Sequence, residues 1–339
     1  LRAWQFIPSG RWHRDAPPPT SHDVARLAGV SQSAVSRCFT PGGSVSPAMR
    51  ERIEVAAREL GYRPSRLPGM MLSGKTGIIA VVVGSFENPF YTATLGAFTR
   101  ALKAADRQVM LMQVDSDLAL DDAVGELETY RVDGVVSALA VSSPEVAEQL
   151  DRYQLPIVTL NSIVSSEWVR VVQSDNRAAG VKAANLLHEC GAASLAYVAG
   201  APDSLSQMDR QRGFIEGVEA LGLGSPRIVD GNYTYEGGWQ AGLELAKDDV
   251  PQGLFCANDV TAFGVIDALR RTRGLEAGRD YRIIGYDNLS AARWRGYDLT
   301  SFDQDVDEMA RVAVELLDTP EAGLNPVEVC ATLHRRTSC

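Results

Sequence analysis

The chain has 339 residues, 45% of them hydrophobic, with 33 basic and 43 acidic side chains and a net charge of −10. No apolar run approaches the roughly 20 residues of a membrane helix, and no charged-then-apolar leader opens the chain. The five cysteines are scattered without metal-ligand spacing, so a reduced cytoplasmic protein is expected, with a small domain and a larger two-lobed one. The charge is unevenly divided: residues 1–75 hold eleven basic and five acidic residues, net +6, and the remainder 22 and 38, net −16. A basic head attracts phosphates, whereas an acidic body stays in solution and is not drawn to DNA.

Residues 1–19, with their proline run, read as a disordered extension. From Thr20 to Tyr62 the local chemistry predicts three helices. Thr20 caps the first, with Asp23 three residues on. Val24, Ala25, Leu27 and Ala28 form its apolar stripe, and Gly29 suits the left-handed or tight turn that ends it. Ser31 caps the second helix, whose inner face is Ala34, Val35 and Cys38. Ser46–Pro47 is an N-cap with a first-turn proline for the third. Ile53, Val55, Ala56 and Leu60 face inward there, and Gly61 stops it. The tight Ala28–Gly29–Val30 turn makes the first two helices a helix-turn-helix, which seats its second helix in the DNA major groove. The bland alternative is a generic helical hairpin. Residues 20–63 are therefore expected to bind DNA, 64–75 to form a hinge, and 76–339 to bind an effector and dimerise.

After the hinge, Gly77–Val83 is a near-continuous apolar strand of the kind buried on both faces of a parallel sheet. Strands near 108–114, 134–137, 156–160 and 169–173 follow, with helices near 90–104, 118–130 and 144–151. A second series has strands near 194–199, 227–230, 253–257 and 281–286 and helices near 176–189, 206–221, 236–246 and 259–272. A helix near 305–317 and one apolar strand near 327–333 close the chain. Two β–α series predict two doubly wound α/β lobes with a ligand cleft between them. Asp175 reads as an N-cap. Leu95, Phe98 and Leu102 offer a face for a partner copy, with burial against their own sheet as the plainer reading.

These segments resemble the LacI/GalR (lactose-repressor) family of bacterial transcription regulators. DVARLAGVSQSAVSR is similar to its N-terminal signature, and RERIEVAARELGYRP to its third helix and hinge entry. NPFY (88–91), SDNRAAG (174–180), RQRGF (210–214), AND (257–259) and GYDN (285–288) follow in the family's order across residues 20–338. The resemblance implies a periplasmic-binding-protein-like core and a homodimer on a near-palindromic operator, controlled by a small effector, most often a sugar or sugar derivative. With no terminal leucine heptads, a dimer is the default.

The DNA-facing set is expected to be Thr20, Ser31, Gln32, Ser33, Ser36 and Arg37. Gln bridges adenine N6 and N7, and Arg bridges guanine O6 and N7; by resemblance, Gln32 and Ser33 stand at the specificity positions. Arg50 is expected to weaken binding to all sequences alike when removed. In the hinge the resemblance places an apolar minor-groove wedge at Met71, although Pro68–Gly69 stands where the family carries Ala-Arg and shortens any helix there. Packing between lobes is the alternative for Met70–Met71.

The effector set is Phe90, Tyr91, Asn161, Arg210, Tyr233, Asn258, Asp259, Asp287 and Gln304, each at or near a family contact position. Their mixture suits a polyhydroxylated ligand, and Arg210 alternatively pairs a ligand carboxylate or phosphate. Asp259 reads equally as a helix cap, Phe90 as core, and Gln173 is a weak candidate. No cofactor, metal site or catalytic residue is expected, because the histidines sit in no triad, metal or nucleotide pattern. The competing readings are a corepressor-dependent regulator, a sugar-binding receptor and an enzyme.

Overall fold

The computed structural model describes residues 5–7, 11–13, 18–40, 42–64, 75–114, 120–141, 143–162, 164–319 and 323–339. These fall into two units, Leu1–Gly74 and Lys75–Cys339. Pro68, Gly69, Met70 and the wedge position Met71 lie outside the described residues.

Within the first unit, β1 (Gln5–Ile7) and β2 (Arg11–His13) pair antiparallel, with Phe6 opposite Trp12. At these six residues the structure departs from the disorder expected of 1–19. Phe6, Ile7 and Trp12 are strong strand formers.

Three helices follow: α1 (Ser21–Ala28), α2 (Gln32–Phe39) and α3 (Pro47–Leu60). A capping box starts α1, since the Thr20 side chain accepts from the Asp23 amide while Asp23 accepts from the Thr20 amide. Gly29 ends it at φ 63, a left-handed conformation that costs glycine nothing. Ser31 and Ser46 cap α2 and α3 as expected. The core of this unit is Val24, Ala25, Ala28, Ala34, Val35, Cys38, Ile53, Ala56 and Ala57. Leu27 and Val55 were expected inside but are each 48% exposed. Helical spacing explains this, because the inward stripe of α3 runs 53, 56, 57 and Val55 falls outside it.

The second unit holds two lobes. In the first, β3 (Ile78–Val83), β4 (Gln108–Gln113), β5 (Gly134–Ser137), β6 (Ile157–Leu160), β7 (Val169–Ser174) and β13 (Val327–Val329) form a wholly parallel sheet of order β13-β7-β6-β5-β3-β4. In the second, β8 (Leu195–Ala199), β9 (Arg227–Asp230), β10 (Gly253–Cys256), β11 (Arg282–Tyr286), β12 (Thr300–Asp303) and β14 (Thr332–His334) have the order β14-β12-β11-β10-β8-β9. Only β14 runs antiparallel there among the described strands. The first lobe carries α4 (Pro89–Ala104), α5 (Leu120–Glu128) and α6 (Pro144–Asp151); the second carries α7 (Asn176–Glu189), α8 (Leu205–Ala220), α9 (Tyr235–Leu245) and α10 (Asp259–Arg273). The last helix, α11 (Val306–Leu317), returns to the first lobe, where Met309, Ala310 and Ala313 pack with Phe98 and Leu102. Phe98 and Leu102 are fully buried in that core, so they belong to their own sheet and not to a partner's.

The final apolar run is two strands and not one. It serves β13 in the first lobe, then crosses at Cys330–Ala331 to β14 in the second. The chain thus passes between lobes at Asp175, at Gln304–Asp305 and at Cys330–Ala331. Asp175 carries no capping bond. Its Oδ1 accepts from the Ala331 amide at 2.8 Å and its own amide donates to the Val329 carbonyl at 3.2 Å, which laces the first crossing to the third.

Helices α7 and α8 lie close enough that a Cβ at Gly213 would collide with the Arg177 carbonyl. Gly213→Ala is therefore expected to cost about 1–3 kcal/mol of core stability, as overpacking of a dense interface does. Urea unfolding of the whole chain measures it; an unchanged midpoint would show that these helices separate freely.

Candidate functional site: an exposed recognition helix and an interlobe cleft

The buried face of α2 is Ala34, Val35 and Cys38, which leaves Ser31, Gln32, Ser33, Ser36 and Arg37 all exposed. Gln32 Nε2 donates to Ser21 Oγ at 3.2 Å, and Ser31 and Ser33 share a hydroxyl contact at 3.0 Å. These are weak, exposed partners that a base edge can replace. Thr20 is occupied in the capping box. Arg50 is not an outward phosphate ligand. Its Nη1 donates to the Cys38 carbonyl at 2.7 Å and its Nη2 to that of Gly43 at 3.4 Å. Arg52 does the same for Ala28 and Gly29. Both guanidiniums close helix ends whose carbonyls lack intrahelical partners.

In the core, a cleft of about 760 Å³ opens between Phe86, Pro89, Thr92 and Ala93 of the first lobe and Val260, Phe263, Asp287 to Ala291 and Trp294 of the second. Asp303, Asp305, Val306 and Asp307, on and beside the second crossing, complete it. Of the expected effector residues, Asp287 lines this cleft. Sequence reading missed the aromatic walls Phe86, Phe263 and Trp294, which sit in no motif.

Behind the cleft runs a chain of amides. The Ser174 amide donates to Asn161 Oδ1 at 3.0 Å; Asn161 Nδ2 donates to Gln304 Oε1 at 3.2 Å; Gln304 Nε2 donates to Asp287 Oδ1 at 2.6 Å. Asn161, at the end of β6, is thereby joined through the second crossing to Asp287, at the end of β11. Asn161, Tyr233 and Asp287 adopt positive φ values of 53, 59 and 101, the kind of backbone strain that collects at binding sites.

Arg210 is fully enclosed on α8. Its Nε donates to Asn176 Oδ1 at 2.7 Å, its Nη1 to the Ala257 carbonyl, and its guanidinium lies 3.7 Å from the Tyr286 ring centroid. Among the described residues no carboxylate bonds it, so this cation is held by neutral oxygens and a ring face. One turn earlier, Gln207 is 95% buried and its Oε1 has no partner among the described residues. Only a buried-polar inventory finds it. Tyr233 covers Gly200 and meets Ser204 Oγ at 3.0 Å; Tyr91 covers Gly84 in the same way in the other lobe, and its ring packs edge-on against Phe90 at 5.6 Å. A side chain at either glycine would push its tyrosine aside.

Two expected residues have partners within their own lobe. Asn258 caps α10 through the Thr261 amide at 3.0 Å. Asp259, the alternative cap, does not cap. Its Oδ1 accepts from Ser301 Oγ at 2.6 Å and its Oδ2 from the Leu289 amide at 2.7 Å, so it pins the 287–290 loop that lines the cleft. Burial, reinforced by the charge of Asp287, holds the Asp259 carboxyl well above its usual range. Gln173 is paired with Glu328 at 2.9 Å.

A major-groove-sized helix unit and a two-lobed, cleft-bearing core in one chain define a ligand-responsive DNA-binding regulator. Residues 20–65 match the model of bacterial regulatory proteins of the lacI family, and 184–339 that of a periplasmic binding protein-like domain. The HTH-type transcriptional regulator CelR of Thermobifida fusca is 30% identical over 310 residues, 88% of this chain and 91% of that protein. A CelR–cellobiose complex superposes with a TM-score of 0.69 at 30% identity, over 95% of this chain and 100% of that one. The Lac repressor dimer bound to operator and the anti-inducer ONPF shares the fold, with a TM-score of 0.82 at 23% identity, over 95% and 99%. The chain belongs to the lacI family of bacterial regulatory proteins.

Burial pushes the Asp287 carboxyl up from 3.8 to about 6; Arg210 and Gln304 hold it down and Asp303 raises it. Between those values the folded core keeps a proton that the unfolded chain has lost. Its contribution to stability is therefore full below pH 3.8 and lost as pH rises through about 6. Asp287→Asn is expected to stabilise the ligand-free protein at pH 7.5 and to do so clearly less at pH 4.5. Unfolding curves at both values test this; equal effects at the two pH values would remove the carboxyl as the cause.

Proposed function

We propose that this chain is a cytoplasmic, sequence-specific transcriptional repressor. It acts as a homodimer on near-palindromic operator DNA and is switched by a carbohydrate-like effector in the interlobe cleft. The observation that carries the reading is the row Ser31, Gln32, Ser33, Ser36 and Arg37, exposed on one face of a capped helix, in the same chain as a ligand-sized cleft. Gln32, Ser33 and Arg37 read base edges; Ser31 and Thr20 sit where helix N-termini meet phosphates.

The cleft's chemistry supports a sugar. Phe86, Phe263 and Trp294 offer faces to C–H surfaces, and the Asp287 carboxylate accepts from hydroxyls; Arg210, enclosed beside the Tyr286 ring and outside the cleft lining, is proposed as a donor to ligand oxygens that penetrate beyond Asp287. The cellobiose-bound relative supports the same class. Gln207 Oε1, on the Arg210 face of α8, takes a ligand hydroxyl. Asn161 and Gln304 act through Asp287, because their amide atoms already have partners. Asn258 and Asp259 shape the loop. Effector binding changes the angle between lobes, and DNA affinity follows by linkage of about 1–3 kcal/mol, equal in both directions.

Binding-site selection with the wild-type chain and Gln32→Ala tests the DNA half. The variant is expected to relax one position of the recovered motif by about 1–3 kcal/mol; recovery of the unchanged motif would reject Gln32 as a reader. Arg50→Ala should instead loosen the 38–43 loop and lower the head's melting temperature.

A thermal-shift screen of saccharides, followed by operator titration with each hit, tests the other half. Any hit should lower or raise operator affinity and should bind Gln207→Leu roughly tenfold more weakly, the loss of one buried hydrogen bond. The ligand-free melting temperature of Gln207→Leu should not fall. No hit that alters DNA binding would sink the switch.

A further inference from the structure

The sulfur atoms of Cys190 and Cys339 lie 2.7 Å apart, within an ångström of the roughly 2.05 Å of a disulfide bond. Cys190 closes the C-terminal end of α7. Cys339 is set against the same lobe by anchored neighbours. Ser338 Oγ donates to the Ile283 carbonyl at 2.7 Å and accepts from the Thr300 amide at 2.8 Å, and the Ser338 carbonyl accepts from the Ile283 amide at 3.1 Å. The tail is therefore held in register with β11 and β12, and the two sulfurs meet by construction of the lobe. Both residues are partly exposed, open to small reagents. By contrast, Cys38 and Cys256 are buried in separate cores, and Cys330 is exposed at the third crossing.

We propose that Cys190 and Cys339 are a reversible redox site, which a low-molecular-weight disulfide oxidises to an intramolecular cystine that fastens the 335–339 segment to α7. The Cys190 sulfur has a cation, Arg335 Nη2, at 3.7 Å, and attacks as the thiolate. Burial and the neighbouring Cys190 push the Cys339 thiol upward, which suits the second, resolving step. Cys190 attacks one sulfur of the small disulfide, forming a mixed disulfide and releasing one small thiol. Cys339 then loses its proton to solvent and attacks the Cys190 sulfur, forming the Cys190–Cys339 bond and expelling the second small thiol. The protein gives up two electrons and two protons, and the small disulfide is reduced to two thiols. The bond closes a loop of nearly the whole second lobe, whose ends the reduced protein holds by hydrogen bonds and by packing against that lobe's core.

Titrating the full chain with oxidised glutathione and counting thiols after denaturation tests the site, with peptide mapping under non-reducing conditions. The count is expected to fall from five to three, with one linked peptide pair containing Cys190 and Cys339, reversed by dithiothreitol. The oxidised protein should melt roughly 5 °C or more higher, a shift absent in Cys190→Ser and Cys339→Ser. Separate glutathione adducts on the two residues, a link through Cys330, or a count that stays at five would overturn the proposal. None of these outcomes depends on DNA or on the cleft's ligand, so the site stands or falls independently of the regulatory reading.

Discussion

The core depends on how its two lobes are tied together. The chain passes between them at Asp175, Gln304–Asp305 and Cys330–Ala331, and side chains lace these passages to one another. Asp175 holds the Ala331 amide; Asn161 holds the Ser174 amide with one atom and Gln304 with the other; Gln304 reaches on to Asp287. Any change in lobe angle must strain this lacing or carry it along. A ligand donor arriving at Asp287 competes with the Gln304 amide, so the same carboxylate both meets the cleft and feels the hinge. Within the second lobe, the charge of Arg210 is met by Asn176, the Ala257 carbonyl and the Tyr286 ring.

The head shows a different economy. Its basic residues do not all face DNA: Arg50 and Arg52 turn inward to close helix ends. Net charge on the head thus overstates the cations available to phosphates, and the reading surface is small and mostly neutral. On the proposed reading, discrimination rests on Gln32, Ser33 and Arg37, and affinity on helix ends and on the pairing of two heads.

What the sequence revealed was what local chemistry determines. Thr20, Ser31, Ser46 and Gly29 announce helix ends because caps act within one turn, and the apolar strands announce a doubly wound core because burial on both faces leaves no alternation. Non-local facts were hidden. Asp175 reads as a cap but bonds Ala331, 156 residues away. The 327–333 run reads as one strand because nothing in it marks a passage between lobes. At the AND motif Asn258 takes the cap for which Asp259 was the candidate, and Asp259 pins a loop instead. The aromatic walls Phe86, Phe263 and Trp294 lie in no pattern, and the Cys190–Cys339 approach needs the folded sheet to be seen. Family order supplied the effector set, yet it could not separate residues that meet the cleft from those that support it, since both kinds are polar and stand at strand ends.

The three passages between lobes contain only five residues in all: one, two and two. Two bodies joined by three tethers form two independent closed rings. Ring closure then sets more conditions than five residues have soft torsions to satisfy. The linkers therefore cannot act as free joints, and any rotation must borrow torsion from the element ends that flank them, Ser174, Asp303, Val329 and Thr332 among them. Lobe motion in this molecule is a deformation of the sheets' carboxyl edges, which makes those edges the mechanical input of the switch as well as its chemical one.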